Sequence, residues 1–143
     1  MIGLLQRVSS ASVQVAGVEI ASIGPGLLVL IGVERGDAAA QVERLATRLL
    51  NYRVFADQAG KMNQSLLDVG GELLLVPQFT LAADTSGGNR PGFSHAAAPA
   101  EGEQRFNELV AATQSLGLAT QTGQFGADMQ VSLCNEGPVT FNL

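Results

Sequence analysis

A mixed α/β domain, with layered sheets around two main helices, is the fold class this sequence predicts. Three observations predict it. Strand-like segments outnumber helical ones and flank them on both sides. One apolar run, Leu27 to Val33, is continuous rather than alternating, as suits a strand buried on both faces. Two segments, and only two, carry long helical spacing of apolar residues.

The elements follow in order. "GLLQRVSSASVQV" is β-like, with Val8, Ser12, Val13 and Val15 in short alternations. "GVEI" offers a turn and a new strand, and "IGPG" a second turn before the apolar run. Asp37 is placed to cap a helix on which Val42, Leu45, Ala46, Leu49 and Leu50 share a core-facing stripe. "YRVF" reads as a short strand and "ADQAGKMN" as a turn-rich link. Gly70-Gly71 opens a further strand, "ELLLVPQFTL", and residues 84–95 form a loop rich in Gly, Asn, Ser and Pro. A second helix fits from Pro99 to Leu116, with Phe106, Leu109, Val110 and Thr113 on one face and Gly117 as its stop. "LATQTGQF" and "MQVSLCNEGPVTFNL" are again strand-like. With no repeat or linker, residues 1–143 read as one domain.

Composition narrows the function. Apolar residues make up 46% and charged residues 15%, against disorder. No run approaches the ~18 apolar residues of a membrane span, and the start is too short in apolar residues for a signal peptide. A cytoplasmic chain is expected, and Cys134, alone, agrees with a reducing compartment. The net charge of −5 disfavours a general nucleic-acid binder, so any RNA contact should be local. One histidine and one cysteine leave no His/Cys metal cluster, and neither metal nor cofactor is expected. His95 would have to serve any Ser-His-Asp triad; beside "TSGGNRPGF" it reads as an exposed loop residue. Neither a Walker loop nor a G-x-G-x-x-G motif occurs.

Gly137-Pro138 stands within "NEGPVT" and interrupts an otherwise continuous strand pattern. Proline has no N–H for a ladder. A turn between two strands is the reading these residues favour, since Gly and Pro punctuate most strongly. An edge-strand bulge and a shaped backbone that meets a ligand are the other two.

Taken together, "LLQRVSSASVQV", "VPQFTLAADT" and "NEGPVTFNL" resemble the D-aminoacyl-tRNA deacylases. "GLLVLIGV", "RPGFS" and "TGQFGADMQVSLCNEGPVT" match in the same order, so the resemblance covers essentially the whole chain. It implies a β-rich, barrel-like α/β domain that forms a homodimer. It implies hydrolysis of the ester joining a D-amino acid to the terminal adenosine of tRNA. It also implies a cis Gly137-Pro138 that reaches into the partner's site. The family's Ser-Gln-Phe-Thr-Leu matches at Gln78, Phe79, Thr80 and Leu81, while Pro77 replaces the serine. A related animal deacylase that tolerates an L-amino acid carries Pro-Gln there. Arg7 resembles an arginine that holds the Gly-Pro turn, and Met129 a pocket-lining residue.

The residues themselves leave the roles open. Thr80 is the side-chain candidate for a nucleophile, but a threonine hydroxyl is weak without a neighbouring base. The vicinal ribose hydroxyl of the substrate is the alternative, with Phe79 and Thr80 N–H groups steadying the oxyanion. Phe79 suits core or pocket equally, and Gln78 needs partners if buried. Arg7 reads by default as a surface charge and Arg90 as a solvated loop charge that can touch a phosphate. A non-catalytic homodimeric interaction domain and a deacylase for a mischarged L-amino acid are the rival readings.

Overall fold

The elements run β1 (Ile2–Val15), β2 (Val18–Ile23), β3 (Gly26–Gly32), α1 (Ala39–Asn51), β4 (Phe55–Ala56), β5 (Met62–Gln64), α2 (Leu66–Val69), β6 (Glu72–Pro77), a 3-10 turn (Phe79–Ala82), α3 (Pro99–Ser115), β7 (Thr120–Thr122) and β8 (Met129–Asn142). The computed structural model describes residues 1–143.

The main sheet is built on β1. Ala16 and Gly17 turn the chain with φ of 49° and 78°, as a two-residue hairpin requires. This lets β2 return antiparallel along the C-terminal half of β1, ending at Val15↔Val18. β3 pairs antiparallel with the N-terminal half, from Ile2↔Gly32 to Val8↔Gly26. β8 follows the other edge of β1, from Leu4↔Asn142 to Val15↔Met129. Beyond β3 the order continues to β6 and β7, both added in parallel. β2 also meets β6 and β7, so the sheet curls into a nearly closed barrel. β4 and β5 form a separate hairpin.

Two cores follow from strand alternation. Leu27, Val29 and Ile31 of β3 and Leu73 and Leu75 of β6 face the helices, packing with Val42, Leu45, Leu49, Phe106 and Leu109. Leu28, Leu74 and Val76 face the barrel interior with Val8, Val13 and Ile23. The prediction that Leu27–Val33 is buried on both faces therefore holds, and β6 shares that property. Each large side chain so buried contributes about 1.5–3 kcal/mol.

Four local expectations are corrected. Asp37 does not cap α1; the N-cap is Ala38. The Asp37 carboxylate is already taken, accepting from the Met1 ammonium at 2.6 Å and the Glu34 N–H at 2.7 Å, while Gln41 accepts from the Ala38 N–H. Burial disfavours the Met1 ammonium, yet its hydrogen bonds to Asp37 and Glu34 outweigh this and raise its pKa. The strand expected over "YRVF" is reduced to Phe55–Ala56, paired with a strand inside the supposed link. The strand expected over "ELLLVPQFTL" stops at Pro77 and gives way to the 3-10 turn. A third, short helix, α2, joins the two expected; Ser65 caps it by accepting from the Asp68 N–H. No helix is long and apolar enough to cross a membrane.

Gly26 sets how closely β3 and β6 meet. A Cβ there would lie 1.9 Å from the Glu72 carbonyl oxygen. Main chain cannot yield as a side-chain tip does. Gly26→Ala is therefore expected to lower stability by about 3 kcal/mol or more, measured as a shift of the urea midpoint. A loss under 1 kcal/mol would show that the two strands can separate there.

Candidate active site

A largely apolar cavity opens where β3, β6 and the N-terminus of α3 converge. It has a volume of about 260 Å³ and includes Pro77, Gln78, Phe79, Phe106 and Phe125 in its lining. Gly102, inside α3, lets Phe125 approach: a Cβ there would sit 3.3 Å from the ring. Phe106 backs the same ring at a centroid distance of 6.5 Å.

β6 delivers Pro77, Gln78 and Phe79 to this cavity. The pairing of β6 with β7 ends at Leu75↔Thr122, so proline at 77 removes no ladder bond on that side. Gln78 then donates its N–H to the Ile31 carbonyl at 2.7 Å and closes the 3-10 turn by accepting from the Leu81 N–H at 3.1 Å. Leu81 is the first intrahelical donor of that turn, which leaves the Phe79 and Thr80 N–H groups without an acceptor inside it. Phe79 is 58% exposed, so it serves the cavity rim rather than the core.

Thr80 is exposed, and its hydroxyl oxygen accepts a hydrogen bond from the Gln78 side-chain amide. An amide N–H occupies a lone pair and cannot take a proton. No carboxylate or histidine hydrogen-bonds this hydroxyl. His95 is exposed in its loop, as expected.

Gly137 and Pro138 occupy a different surface. β8 continues through them, so they do not form a turn between two strands. Along β1, Gln6 faces Thr140 and Val8 faces Asn135. One residue of β1, Arg7, thus stands against four of β8, Glu136 to Val139. This is an enlarged bulge. The Gly137-Pro138 bond is cis, and Gly137 has φ 129°, in the region open to glycine. A Cβ on Gly137 would lie 2.8 Å from Val139 Cγ2 and 3.0 Å from Arg7 Nη2.

Two side chains hold the bulge. Arg7 donates through Nε to the Glu136 carbonyl at 3.1 Å and through Nη1 to the Val54 carbonyl at 2.6 Å. Arg7 is therefore a structural clamp and not a solvated charge. Asn135 ties the base of the bulge, accepting from the Val139 N–H at 2.7 Å and donating to Thr140 Oγ1 at 2.9 Å.

The chain matches the D-Tyr-tRNA(Tyr) deacylase family model over residues 4–143. It belongs to that family. It is 62% identical, over 100% of its length and 99% of the other protein, to a D-aminoacyl-tRNA deacylase of Xanthomonas axonopodis pv. citri. It is 57% identical, over 99% of its length and 98% of the other, to one of Alteromonas mediterranea. Among solved structures, a c-Myc DNA unwinding element binding protein superposes with a TM-score of 0.96 at 38% identity, covering 100% of this chain and 97% of that one. A "probable eukaryotic D-amino acid tRNA deacylase" shares the fold, with a TM-score of 0.82 at 17% identity over 99% and 98% of the two chains.

Within one chain the two family motifs do not meet. Gln78 and Phe79 border the cavity; Gly137, Pro138 and Arg7 are not among its lining residues. Met129, expected to line the pocket, does not line this cavity either. Its sulfur accepts from the Gln124 N–H at 3.4 Å, and its side chain packs against the barrel core. Phe125, Gly102 and Phe106 were missed as cavity residues. A glycine inside a helical pattern was the available signal for Gly102.

Asn135→Ala removes both ties at the base of the bulge. We expect a loss of about 1–2 kcal/mol in stability and early hydrogen exchange at the Val139 amide. Retention of that amide's protection would show that Arg7 alone fixes the bulge.

Proposed function

We propose that this chain hydrolyses the ester of D-aminoacyl-tRNA, releasing the free D-amino acid and tRNA. Its placement in the family carries the reading, and the cavity beside Gln78, Phe79 and Thr80 supports it. The terminal adenine suits that cavity: it is planar and largely apolar on its faces, and aromatic rings supply stacking surfaces. The ester then lies near the 3-10 turn, whose free Phe79 and Thr80 N–H groups are donors for the developing oxyanion.

The site is completed by a second copy of the chain. Gly137 and Pro138 of one protomer enter beside the cavity of the other, which explains why one chain holds the motifs apart. Their main chain forms a wall on one side of the substrate's α-carbon, with carbonyls for its ammonium. Arg7 and Asn135 hold that wall in place. Discrimination by a thousandfold needs only ~4 kcal/mol in the barrier, within reach of a clash combined with a misplaced ammonium.

The hydrolytic water is activated by the substrate's own ribose hydroxyl, and Thr80 is dispensable as a nucleophile. The lack of a base on its hydroxyl supports this. Pro77 supports it too, since a serine hydroxyl cannot be required where none exists. Pro77 also favours one second reading, a deacylase for a mischarged L-amino acid.

Three outcomes test the reading. D-tyrosyl-tRNA should be cleaved and L-tyrosyl-tRNA and L-alanyl-tRNA spared; the reverse would establish the second reading, and no cleavage of any would leave an interaction domain. Glycyl-tRNA, including glycine mischarged on tRNA(Ala), should also be cleaved, because a wall cannot reject a residue without a side chain. Thr80→Ala should retain at least about a tenth of the turnover; a loss of about 10³-fold or more with folding intact would make Thr80 the catalytic group.

A further inference from the structure

Two aromatic rings meet outside the cavity as well as in it. Phe79 is 58% exposed and Phe93 41% exposed, yet their centroids lie 5.1 Å apart with planes tilted by 47°. Phe79 borders the cavity, whereas Phe93 does not. The pair therefore runs from the rim onto the open surface. Water-exposed phenyl rings are a poor use of apolar area unless something covers them.

The loop that carries Phe93 is tied down on both sides of it. Asp84 and Gly92 exchange two backbone hydrogen bonds, at 2.8 and 2.9 Å. The His95 carbonyl accepts from the Arg35 N–H at 2.8 Å, and the Ala97 N–H donates to the Val33 carbonyl at 3.0 Å. Hydrogen bonds from Ser86 to the Asp84 carboxylate, including one from its N–H at 2.9 Å, hold that carboxyl's pKa below the usual value. Phe93 is thus presented from a fixed base. Arg90, on the same loop, and Arg35, at its foot, are exposed and have no carboxylate within ion-pair distance.

We propose that Phe93, with Phe79 packed against it and Arg90 on the same loop, is a stacking subsite for the nucleotide immediately 5′ to the terminal adenosine of tRNA. The inference rests on the reading that the adenosine occupies the cavity. The tRNA 3′ end is single-stranded there, so its bases are free to stack, and every base offers a π face to an aromatic ring. With the adenosine inside the rim, the preceding base leaves along the surface that Phe93 occupies. One phosphate separates the two nucleosides, and one or two arginines are enough to meet it. That agrees with a chain of net charge −5, which holds few phosphates rather than a long duplex.

The test compares D-tyrosyl-adenosine, which lacks the preceding base, with a D-tyrosyl-CCA trinucleotide. Phe93→Ala should lower kcat/KM for the trinucleotide about tenfold, the scale of one base–aromatic stack, through KM rather than kcat. The loss on D-tyrosyl-adenosine should be several-fold smaller, and Phe93→Tyr, which keeps the ring, should restore the trinucleotide rate. Equal losses on both substrates, or none on the trinucleotide, would overturn the subsite while leaving the deacylase reading intact. Binding of uncharged CpA against adenosine gives the independent arm. If the wild-type chain cleaves neither ester but binds CpA more tightly in a Phe93-dependent way, the subsite stands and the deacylase reading falls. If CpA gains nothing over adenosine, the subsite falls regardless of catalysis.

Discussion

Saturation of β1 on both edges is the constraint from which the rest of this molecule follows. β3 and then β2 occupy one edge, and β8 occupies the other. A strand held on both sides cannot move to make room for a neighbour's surplus residues. The surplus in β8 must therefore leave the plane of the sheet, and it does so opposite Arg7. The same strand supplies Leu5 to the helix-facing core and Val8 and Val13 to the barrel interior. Fold and bulge are consequently not separate modules; the strand that organises both cores also sets where the Gly137-Pro138 segment emerges.

The arrangement divides labour between rigid main chain and a few aromatic surfaces. Around the cavity rim, the polar groups of the 3-10 turn are backbone N–H groups and one Gln-Thr pair, with no strong base among them. On the proposed reading, such a site works by positioning and by fixed dipoles, which lose nothing to reorganisation during the reaction. That reading suits an ester whose alcohol carbon has a hydroxyl-bearing carbon as its neighbour. It also explains why the inventory of catalytic side chains is thin without the site being poor.

Much of the fold was legible in the sequence because it rests on local periodicity. The apolar run Leu27–Val33, the stripe from Val42 to Leu50 and the face from Phe106 to Thr113 each correspond to an observed element. What escaped depends on contacts between distant residues. Asp37 looks like a helix cap until Met1 is folded against it. Phe79–Ala82 reads as strand until the chain is seen to turn after Pro77. The Gly137-Pro138 bulge required knowing that β1 was already paired on its far side. Among site residues, Gln78 and Phe79 stood out through their motif. Phe125 did not, because an aromatic residue in strand-like text gives no sign of the cavity it will border.

Arg7 joins three parts of the chain, and both of its hydrogen bonds end on carbonyl oxygens of the main chain, at Val54 and Glu136. Every amino acid carries that oxygen. The exposed position 136 is thus free to change its side chain without erasing the acceptor, so long as the backbone path is kept, whereas Val54 is also held by its place in the helix-facing core. The tolerance is one-sided, since no other residue offers the same planar fork of donors. At this junction a substitution of the donor is therefore costlier than one at the exposed acceptor position 136.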